Sequence, residues 1–307
     1  MQGNALYYFY QAANLGSMRL ASDKIGVAVS SISRQIASLE AEIGVALIER
    51  GRRSIRMTEA GRLAFDYYQG CLSHEEAFTN RLREHRQLKA GKVSMAVGEG
   101  FLGGFFTETL EAFQAQHPGI SVDVQVLPTS DTVKAVLDDN AHFGLIFNDC
   151  TEPKIRVRAT AAQPLMVLCA PSHPAAESSA LTLQDLSAYD LCLAASGLRI
   201  HQILRDAERR EQIWLEPKLT TSSIYLMREA AMAGRMLTIL PRIAAASEIE
   251  SGALVARPVT GADLEDTTIS LIHRLGRQLE GAPARLLATF ETRLKAWSGG
   301  EAERPAA

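Results

Sequence analysis

Hydrophobic and polar positions change rhythm along the chain, and each change predicts a new element. From Asn4 to Asn14, Leu6, Phe9, Tyr10 and Ala13 fall on one side of a helix. Met18 to Ile25 predicts a short second helix, broken at Gly26, and Ser30 to Ile43 a third after about three residues. In the third helix Ile32, Ile36, Leu39 and Ile43 mark a face for the core, while Ser30, Ser31, Ser33, Arg34 and Gln35 lie opposite, near its start. Leu47-Ile48-Glu49-Arg50, a turn at Gly51 and Arg52-Arg53-Ser54-Ile55-Arg56-Met57 read as a hairpin carrying four arginines. Thr58 to Lys89 then runs ~32 residues without proline, ~48 Å if helical, with Thr58 as N-cap and Glu59 favouring the positive helix end. Its stripe of Leu63, Tyr67, Tyr68, Cys71, Phe78, Leu82 and Leu88 is too long to hide inside a small head, so it needs a partner helix. Gly91 is expected to end that helix.

From Lys92 the pattern alternates. Strands are expected at 93–97, 120–126 and 143–147, with helices at 103–116 and 129–138 between them. A second set follows: 165–170, 183–186, 191–194, 200–211, 218–221, 224–233 and 236–240, then a strand at 267–273 and a helix at 282–297. Strands alternating with helices predict a parallel sheet of the α/β class.

Length and composition fit this division. The 307 residues are 47% hydrophobic, ample for two or three packed domains. The net charge of −3 argues against a nucleic-acid binder on its own, but its distribution does not. Residues 1–57 hold seven Lys/Arg against four Asp/Glu, and residues 92–307 hold 20 against 26. A basic head on an acidic body suits a protein that docks DNA by one end. No basic segment precedes an apolar one at the N-terminus, and the uncharged run Ala159 to Ala176 contains three prolines and His173, so neither a secretory signal nor a membrane helix is expected. Cys71, Cys150, Cys169 and Cys192 form no CxxC pair, which fits reduced thiols in a cytoplasmic protein. No metal, nucleophile or Walker pattern is present, so no enzyme activity and no cofactor are expected.

Singly, the pieces of the head fit ordinary helix packing and solvated arginines. Together, in order within ~45 residues, they form a helix-turn-helix with a wing. The third helix would enter the major groove, with Ser30, Ser31, Ser33, Arg34 and Gln35 meeting base edges or phosphates. Arg50, Arg52, Arg53 and Arg56 would reach a phosphate or a minor groove. Double-stranded DNA is the expected partner.

The chain resembles the LysR-type transcriptional regulators from about Leu6 to Trp297. The resemblance rests on Tyr8-Phe9, Gly16-Ser17, Ala21, Ser33-Arg34-Gln35-Ile36, Leu39-Glu40, Gly44, Leu47, Arg50 and Thr58-Glu59-Ala60-Gly61. The chain departs from the family in having Ala28-Val29 where Ser-Gln or Ala-Pro usually opens the recognition helix. Alanine caps poorly, which would shift the helix start to Ser30. Val29 cannot supply glutamine's base contact and would meet a thymine methyl instead, changing the operator preference. Ser22 and Ile48 replace a usual Ala and Phe, read as changes in core packing.

The resemblance implies a winged helix-turn-helix over 1–58, a dimerising linker helix over 59–91 and a two-lobed, periplasmic-binding-protein-like effector domain over 92–297. Lobe I would take about 92–161 and 268–297, lobe II about 162–267, and 298–307 would be a disordered tail. It also implies a homodimer or homotetramer, RNA polymerase as a further partner, and a small-molecule effector between the lobes. The expected effector residues are Glu99, Gly100, Phe101, Thr129 and Ser130 from one lobe, and Ser196, Gly197, Leu198, Arg199, Ser222 and Ser223 from the other. Thr129, Ser130 and Ser222 are equally fitted to cap helices, and Arg199 to pair with a surface carboxylate. Facing inward, Arg199 would select a carboxylate and Glu99 an amine, a pair suited to a zwitterion. Met236, in Gly234-Arg235-Met236-Leu237, is expected to reshape one edge of the site.

Gly98-Glu99-Gly100-Phe101-Leu102-Gly103 is a full GxGxxG between strand and helix, with Asp123 twenty residues on. It matches the dinucleotide fingerprint, but Asp123 sits in mid-strand between valines and Glu99 would bring a carboxylate near pyrophosphate. The same turn suits a polar or anionic effector at a helix N-terminus. Besides an effector-responsive regulator, two other readings remain: a nicotinamide enzyme fused to a DNA-binding head, and an architectural DNA binder.

Overall fold

A computed structural model describes residues 3–49, 54–85, 91–261 and 264–301. It divides into two compact units, Met1–Leu82 with Gly276–Leu279, and Arg83–Leu275 with Glu280–Ala307.

The first unit opens with α1 (Gly3–Asn14), α2 (Met18–Ile25) and α3 (Val29–Ile43). Ser17 caps α2, its hydroxyl accepting from the Leu20 amide, and Gly26 ends it at φ 74, a left-handed conformation that favours glycine. Leu6, Phe9, Ala21, Ile32, Ile36, Leu39 and Leu47 are buried together. Ile43, expected in this core, is instead 36% exposed as the last residue of α3. The start of α3 also differs from expectation. Ala28 occupies the cap position, with no side-chain hydrogen bond, and Ser30 lies inside the first turn. The backbone closes that turn by itself, since the Ala28 carbonyl accepts from Ser31 and Ile32.

The base of the wing is an antiparallel bridge between Ile48 and Met57, with the Glu49 amide donating to the Arg56 carbonyl. Its tip, with Arg50, Gly51, Arg52 and Arg53, lies outside the described residues. Helix α4 (Glu59–His85) follows. Thr58 caps it as expected, accepting from the Gly61 amide at 3.0 Å while donating to the Ala46 carbonyl at 2.6 Å. A side chain on Gly61 would collide with the Leu47 carbonyl oxygen, which explains the glycine in Thr58-Glu59-Ala60-Gly61. Tyr10 stacks on Phe65 at 4.7 Å, joining the first turns of α4 to the head. Farther along, Leu63, Tyr67, Phe78 and Leu82 remain 48–69% exposed. Residues 86–90, expected to continue this helix, lie outside the described residues; Gly91 opens a strand instead of closing the helix.

The second unit holds two five-stranded sheets. In lobe I the strand order is β2-β1-β3-β10-β4, made from β1 (Gly91–Val97), β2 (Ile120–Val126), β3 (Phe143–Phe147), β4 (Ile155–Ala162) and β10 (Thr268–Arg274). Lobe II has β7-β6-β8-β5-β9, made from β5 (Leu165–Cys169), β6 (Leu191–Ala194), β7 (Leu219–Thr221), β8 (Leu237–Pro241) and β9 (Val255–Pro258). Each sheet has a parallel trio, β2-β1-β3 and β7-β6-β8. Neither sheet is all parallel, as the alternation predicted. β10 runs antiparallel to β3 and β4, and β5 antiparallel to β8 and β9, because these strands carry the chain back into a sheet after a crossing between lobes.

Helices α5 (Gly104–Gln116), α6 (Thr129–Leu137) and α11 (Ala282–Glu301) belong to lobe I. Lobe II has α7 (Leu183–Leu186), α8 (Arg199–Glu211), α9 (Ile224–Met232) and α10 (Ala246–Glu250). Phe290 of α11 is fully buried, its ring 5.5 Å from Phe106 and 6.2 Å from Phe143; burying a ring of this kind contributes about 1.5–3 kcal/mol. Helix α11 runs past Trp297 through Gly299-Gly300 to Glu301, where a disordered tail was expected. Glycine weakens a helix without removing its hydrogen bonds; residues 302–307 lie outside the description.

One acidic side chain holds the wing to α3. Glu40 Oε1 accepts from the Leu47 amide at 2.7 Å and the Ile48 amide at 3.1 Å. Replacing it with Ala strands both amides. Glu40→Ala is expected to lower unfolding stability by about 1–2 kcal/mol in urea titration, and Glu40→Gln by less, since Gln keeps one acceptor.

Candidate functional site

Helix α3 presents two chemically distinct faces. Ile32, Ile36 and Leu39 are turned into the head, while Ser30, Ser33, Arg34 and Gln35 are exposed and Ser31 is half-buried beside them. Val29, at the first helical position, is 42% exposed. Arg56 is exposed on the returning limb of the wing. Arg50, Arg52 and Arg53, the other arginines expected there, lie outside the described residues. The exposed face therefore carries hydroxyls, an amide and a guanidinium, the donor set that meets phosphates and base edges.

The second unit contains a cavity of ≈180 Å³ between its lobes. Its lining follows from the topology, since each wall lies at the C-terminal end of a parallel strand. β1 leads to Gly98–Phe101, β2 ends at Val126 and leads to Leu127, Pro128 and Thr129, and β3 ends at Phe147. From lobe II, β6 leads to Leu198, Arg199 and Ile200, β7 to Ser222 and Ile224, and β8 to Pro241 and Ile243. Open α/β sheets bind ligands at this edge because there the loops diverge and helix N-termini converge.

Of the expected effector residues, Glu99, Gly100, Phe101, Thr129, Leu198, Arg199 and Ser222 line this cavity. Ser130, Ser196 and Gly197 are exposed and stand outside its lining. Ser223 is also outside it, where it caps α9 by accepting from the Leu226 amide. Met236, just before β8, does not reach the cavity; Pro241, at the far end of that strand, does. The apolar walls Val126, Leu127, Pro128, Phe147, Ile200, Ile224, Pro241 and Ile243 were missed, although each terminates or directly follows a strand predicted from sequence, or opens the helix beyond it.

Polar groups in the cavity are few. Arg199, the first residue of α8, donates from Nη1 to Gln202 Oε1 at 2.9 Å, a neutral amide and not the surface carboxylate considered above. One oxygen of Glu99 is engaged within the protein. Its Oε1 accepts from Ser223 Oγ at 2.9 Å and from the Tyr225 amide at 3.0 Å. Thr129 and Ser222 are not caps: Pro128 precedes α6 and Ser223 precedes α9 at the cap positions. Helices α6 and α8 both start without a side-chain cap.

The GxGxxG turn lies against lobe II, and the tight approach falls at Gly104, just after the motif. A Cβ on Gly100 would lie 3.6 Å from Ala244 Cβ, and one on Gly104 would lie 3.2 Å from Ser247 Oγ. Asp123 is exposed in mid-strand, paired in register with Ser94, and is not part of the cavity. Nothing in this arrangement places an acid for a ribose, so the dinucleotide reading has no geometric support.

Cys169 and Cys192 are buried, and burial pushes both thiols up, away from the thiolate that a reactive cysteine needs. Among the described residues no group of three His, Cys, Asp or Glu side chains is placed to hold a metal. Among them also, no helix is long and apolar enough to cross a membrane.

Known proteins share this organisation. Residues 86–295 match the LysR substrate binding domain, and residues 4–62 match the bacterial regulatory helix-turn-helix proteins of the lysR family. A probable nitrogen assimilation transcriptional activator of Synechococcus elongatus is 26% identical over 259 residues, 81% of each chain. Full-length OxyR from Pseudomonas aeruginosa has the same fold, with a TM-score of 0.65 at 18% identity over 96% of this chain and 95% of that one. Full-length CbnR in complex with its target DNA superposes with a TM-score of 0.54 at 23% identity, covering 96% of this chain and 99% of that one. The matches of residues 4–62 and 86–295 to the two LysR-family domains, borne by a head of three helices and a wing, a long helix and paired α/β lobes, make this chain a member of the LysR family, DNA-binding transcriptional regulators with ligand-binding lobes.

Proposed function

We propose that this protein is a sequence-specific, homo-oligomeric regulator in the cytoplasm whose action on DNA is set by a small anionic effector with an apolar body. The observation that carries the effector class is the composition of the cavity. Ten of its sixteen lining residues are Phe, Val, Leu, Ile or Pro, and its one cation is Arg199. Two helix starts without side-chain caps, those of α6 and α8, meet the same space through Pro128-Thr129 and Leu198-Arg199. First-turn amides and the positive end of the helix dipole favour an anion, and Arg199 adds a fork suited to a carboxylate. The volume is small beside the roughly 300–1,000 Å³ of clefts that take drug-sized ligands, which favours a compact molecule. A zwitterion fits less well, since the Glu99 carboxylate is already bonded to Ser223 and Tyr225.

On DNA, α3 supplies Ser30, Ser31, Ser33, Arg34 and Gln35 to the major groove, with Arg50, Arg52, Arg53 and Arg56 of the wing on phosphates or the minor groove. That CbnR is described with its target DNA supports this docking. Leu63, Tyr67, Phe78 and Leu82 form an exposed apolar stripe on α4, which a second copy of the helix covers. Effector binding biases lobe closure, and so the spacing of two heads on DNA and their contact with RNA polymerase.

Three measurements test these parts separately. Arg34→Ala is expected to weaken binding to a footprinted site upstream of the protein's own gene by ~1–3 kcal/mol while leaving non-specific binding nearly unchanged; an unaltered footprint and affinity removes Arg34 from base reading. In thermal-shift assays with a panel of small aromatic and alkyl carboxylates, Arg199→Ala is expected to lose about ten-fold or more in affinity for any stabilising acid. Equal affinities in the two proteins exclude Arg199 as the anion's partner. Phe78→Glu is expected to shift sedimentation from dimer or tetramer towards monomer, and an unchanged distribution rules out the α4 stripe as the interface.

A further inference from the structure

One side chain lining the cavity already has both lobes in hand. Glu99 lies in the 3-10 turn Glu99–Phe101 that follows β1 in lobe I. Its acceptors' partners, Ser223 Oγ at 2.9 Å and the Tyr225 amide at 3.0 Å, belong to lobe II. Ser223 is the N-cap of α9 and Tyr225 the second residue of that helix, so the carboxylate rests on the positive end of the helix. The Ser223 hydroxyl also accepts from the Leu226 amide at 3.2 Å, so one oxygen links the internal cap to the external one. Of the three helix starts that meet the cavity, α9 alone is filled in this way; α6 and α8 have no side-chain cap.

The backbone around Glu99 is set by the same seam. Gly100 and Gly104 approach Ala244 and Ser247 of lobe II. That stretch is held in turn, since Arg228 Nη1 donates to the Ala244 carbonyl at 3.0 Å and pairs with Glu248 at 3.2 Å. Glu99 is therefore presented to α9 from a turn that packs against lobe II. A second anion at that helix start would face the like charge of Glu99 and a set of donors already in use.

We propose that Glu99 is an intramolecular ligand of α9: it clasps lobe I to lobe II and closes that helix start to acidic effectors, directing an effector's anion to the Arg199 end of the cavity. The clasp itself is independent of the effector reading; only its consequence for the effector's orientation rests on that reading.

Chemical rescue of the full-length protein tests the clasp. Glu99→Ala is expected to lower Tm by about 3–8 °C, and sodium acetate or formate is expected to restore at least half of the loss relative to sodium chloride at matched ionic strength. Adding Ser223→Ala to Glu99→Ala should abolish the recovery, whereas adding Arg199→Gln should leave it intact. Glu99→Gln, which keeps an acceptor without the charge, is expected to lose less and not to respond to acetate. An unchanged Tm in Glu99→Ala, or no recovery beyond that in chloride, overturns the proposal. So does a recovery that disappears with Arg199→Gln and survives Ser223→Ala, because the added anion then sits at the other end. Failure of the effector reading is seen elsewhere, in wild-type and Arg199→Ala proteins that respond alike to the carboxylate panel.

Discussion

The geometry of the cavity depends on how the chain crosses twice between the lobes. One crossing runs from β4 to β5, the other from β9 to β10, and the two are bonded to each other. The Gln163 amide donates to the Thr267 carbonyl at 2.8 Å, and Thr267 Oγ1 donates to the Gln163 carbonyl at 2.6 Å. Both residues are buried, where leaving such groups unpaired costs about 1–3 kcal/mol each, so the pairing is strongly favoured. Gln163 also accepts through Oε1 from the Ile243 amide, tying the crossing to a wall of the cavity. With the crossings joined, the ends of the parallel strands in the two sheets face one cavity. The cavity is thus a consequence of topology before it is a matter of particular side chains.

Much of this was legible in the sequence because the elements concerned are long or strongly periodic. The α2–turn–α3 pattern, the alternation of strands and helices after Lys92, and Thr58 as a cap all have local causes, in helical spacing, β-branched runs and side-chain oxygens. The edge strands β4 and β9 were not read. β4 does alternate, with Ile155, Val157, Ala159 and Ala161 against Arg156, Arg158 and Thr160, but half of its apolar positions are alanines and the period is weak. β9 is four residues long and ends in proline, a pattern shared with loops. The antiparallel direction of β5 and β10 was also invisible, since direction is decided by where the chain re-enters a sheet and not by the residues of the strand.

The site divides in the same way. Turn residues could be picked from their place after each strand, and seven of those picked do line the cavity. What could not be read was which partner each polar group finds. Glu99 looked like a group for an incoming amine, yet its carboxylate meets Ser223 and Tyr225, 124 and 126 residues away. The GxGxxG spacing has a similar lesson. In a dinucleotide-binding turn the glycines let pyrophosphate approach the backbone; here the neighbour of the turn is the Ala244–Ser247 stretch of the other lobe, and the close approach is at Gly104, outside the motif.

The start of α3 shows how a local deficit can belong to function. Ser, Thr, Asp or Asn at the cap position would accept from an amide of the first turn and typically stabilise the helix by ~1 kcal/mol over Ala. This chain places Ala28 there, and the helix did not move to use Ser30; it begins at Val29 with no side-chain acceptor. Its neighbours make the omission tolerable, since Gly26 ends α2 cleanly and Ile32, Ile36 and Leu39 anchor α3 in the core. Packing thus supplies the stability that the cap does not. Of the first-turn amides Ser31 is already bonded to the Ala28 carbonyl; those of Val29 and Ser30 precede the first internal bond, and in the proposed docking a DNA phosphate is their natural acceptor. Under the proposed docking, the exposed methyls of Val29 then take the place beside the bases that a polar side chain would otherwise hold, so the chain's departure from its family becomes a difference in which base pairs it prefers.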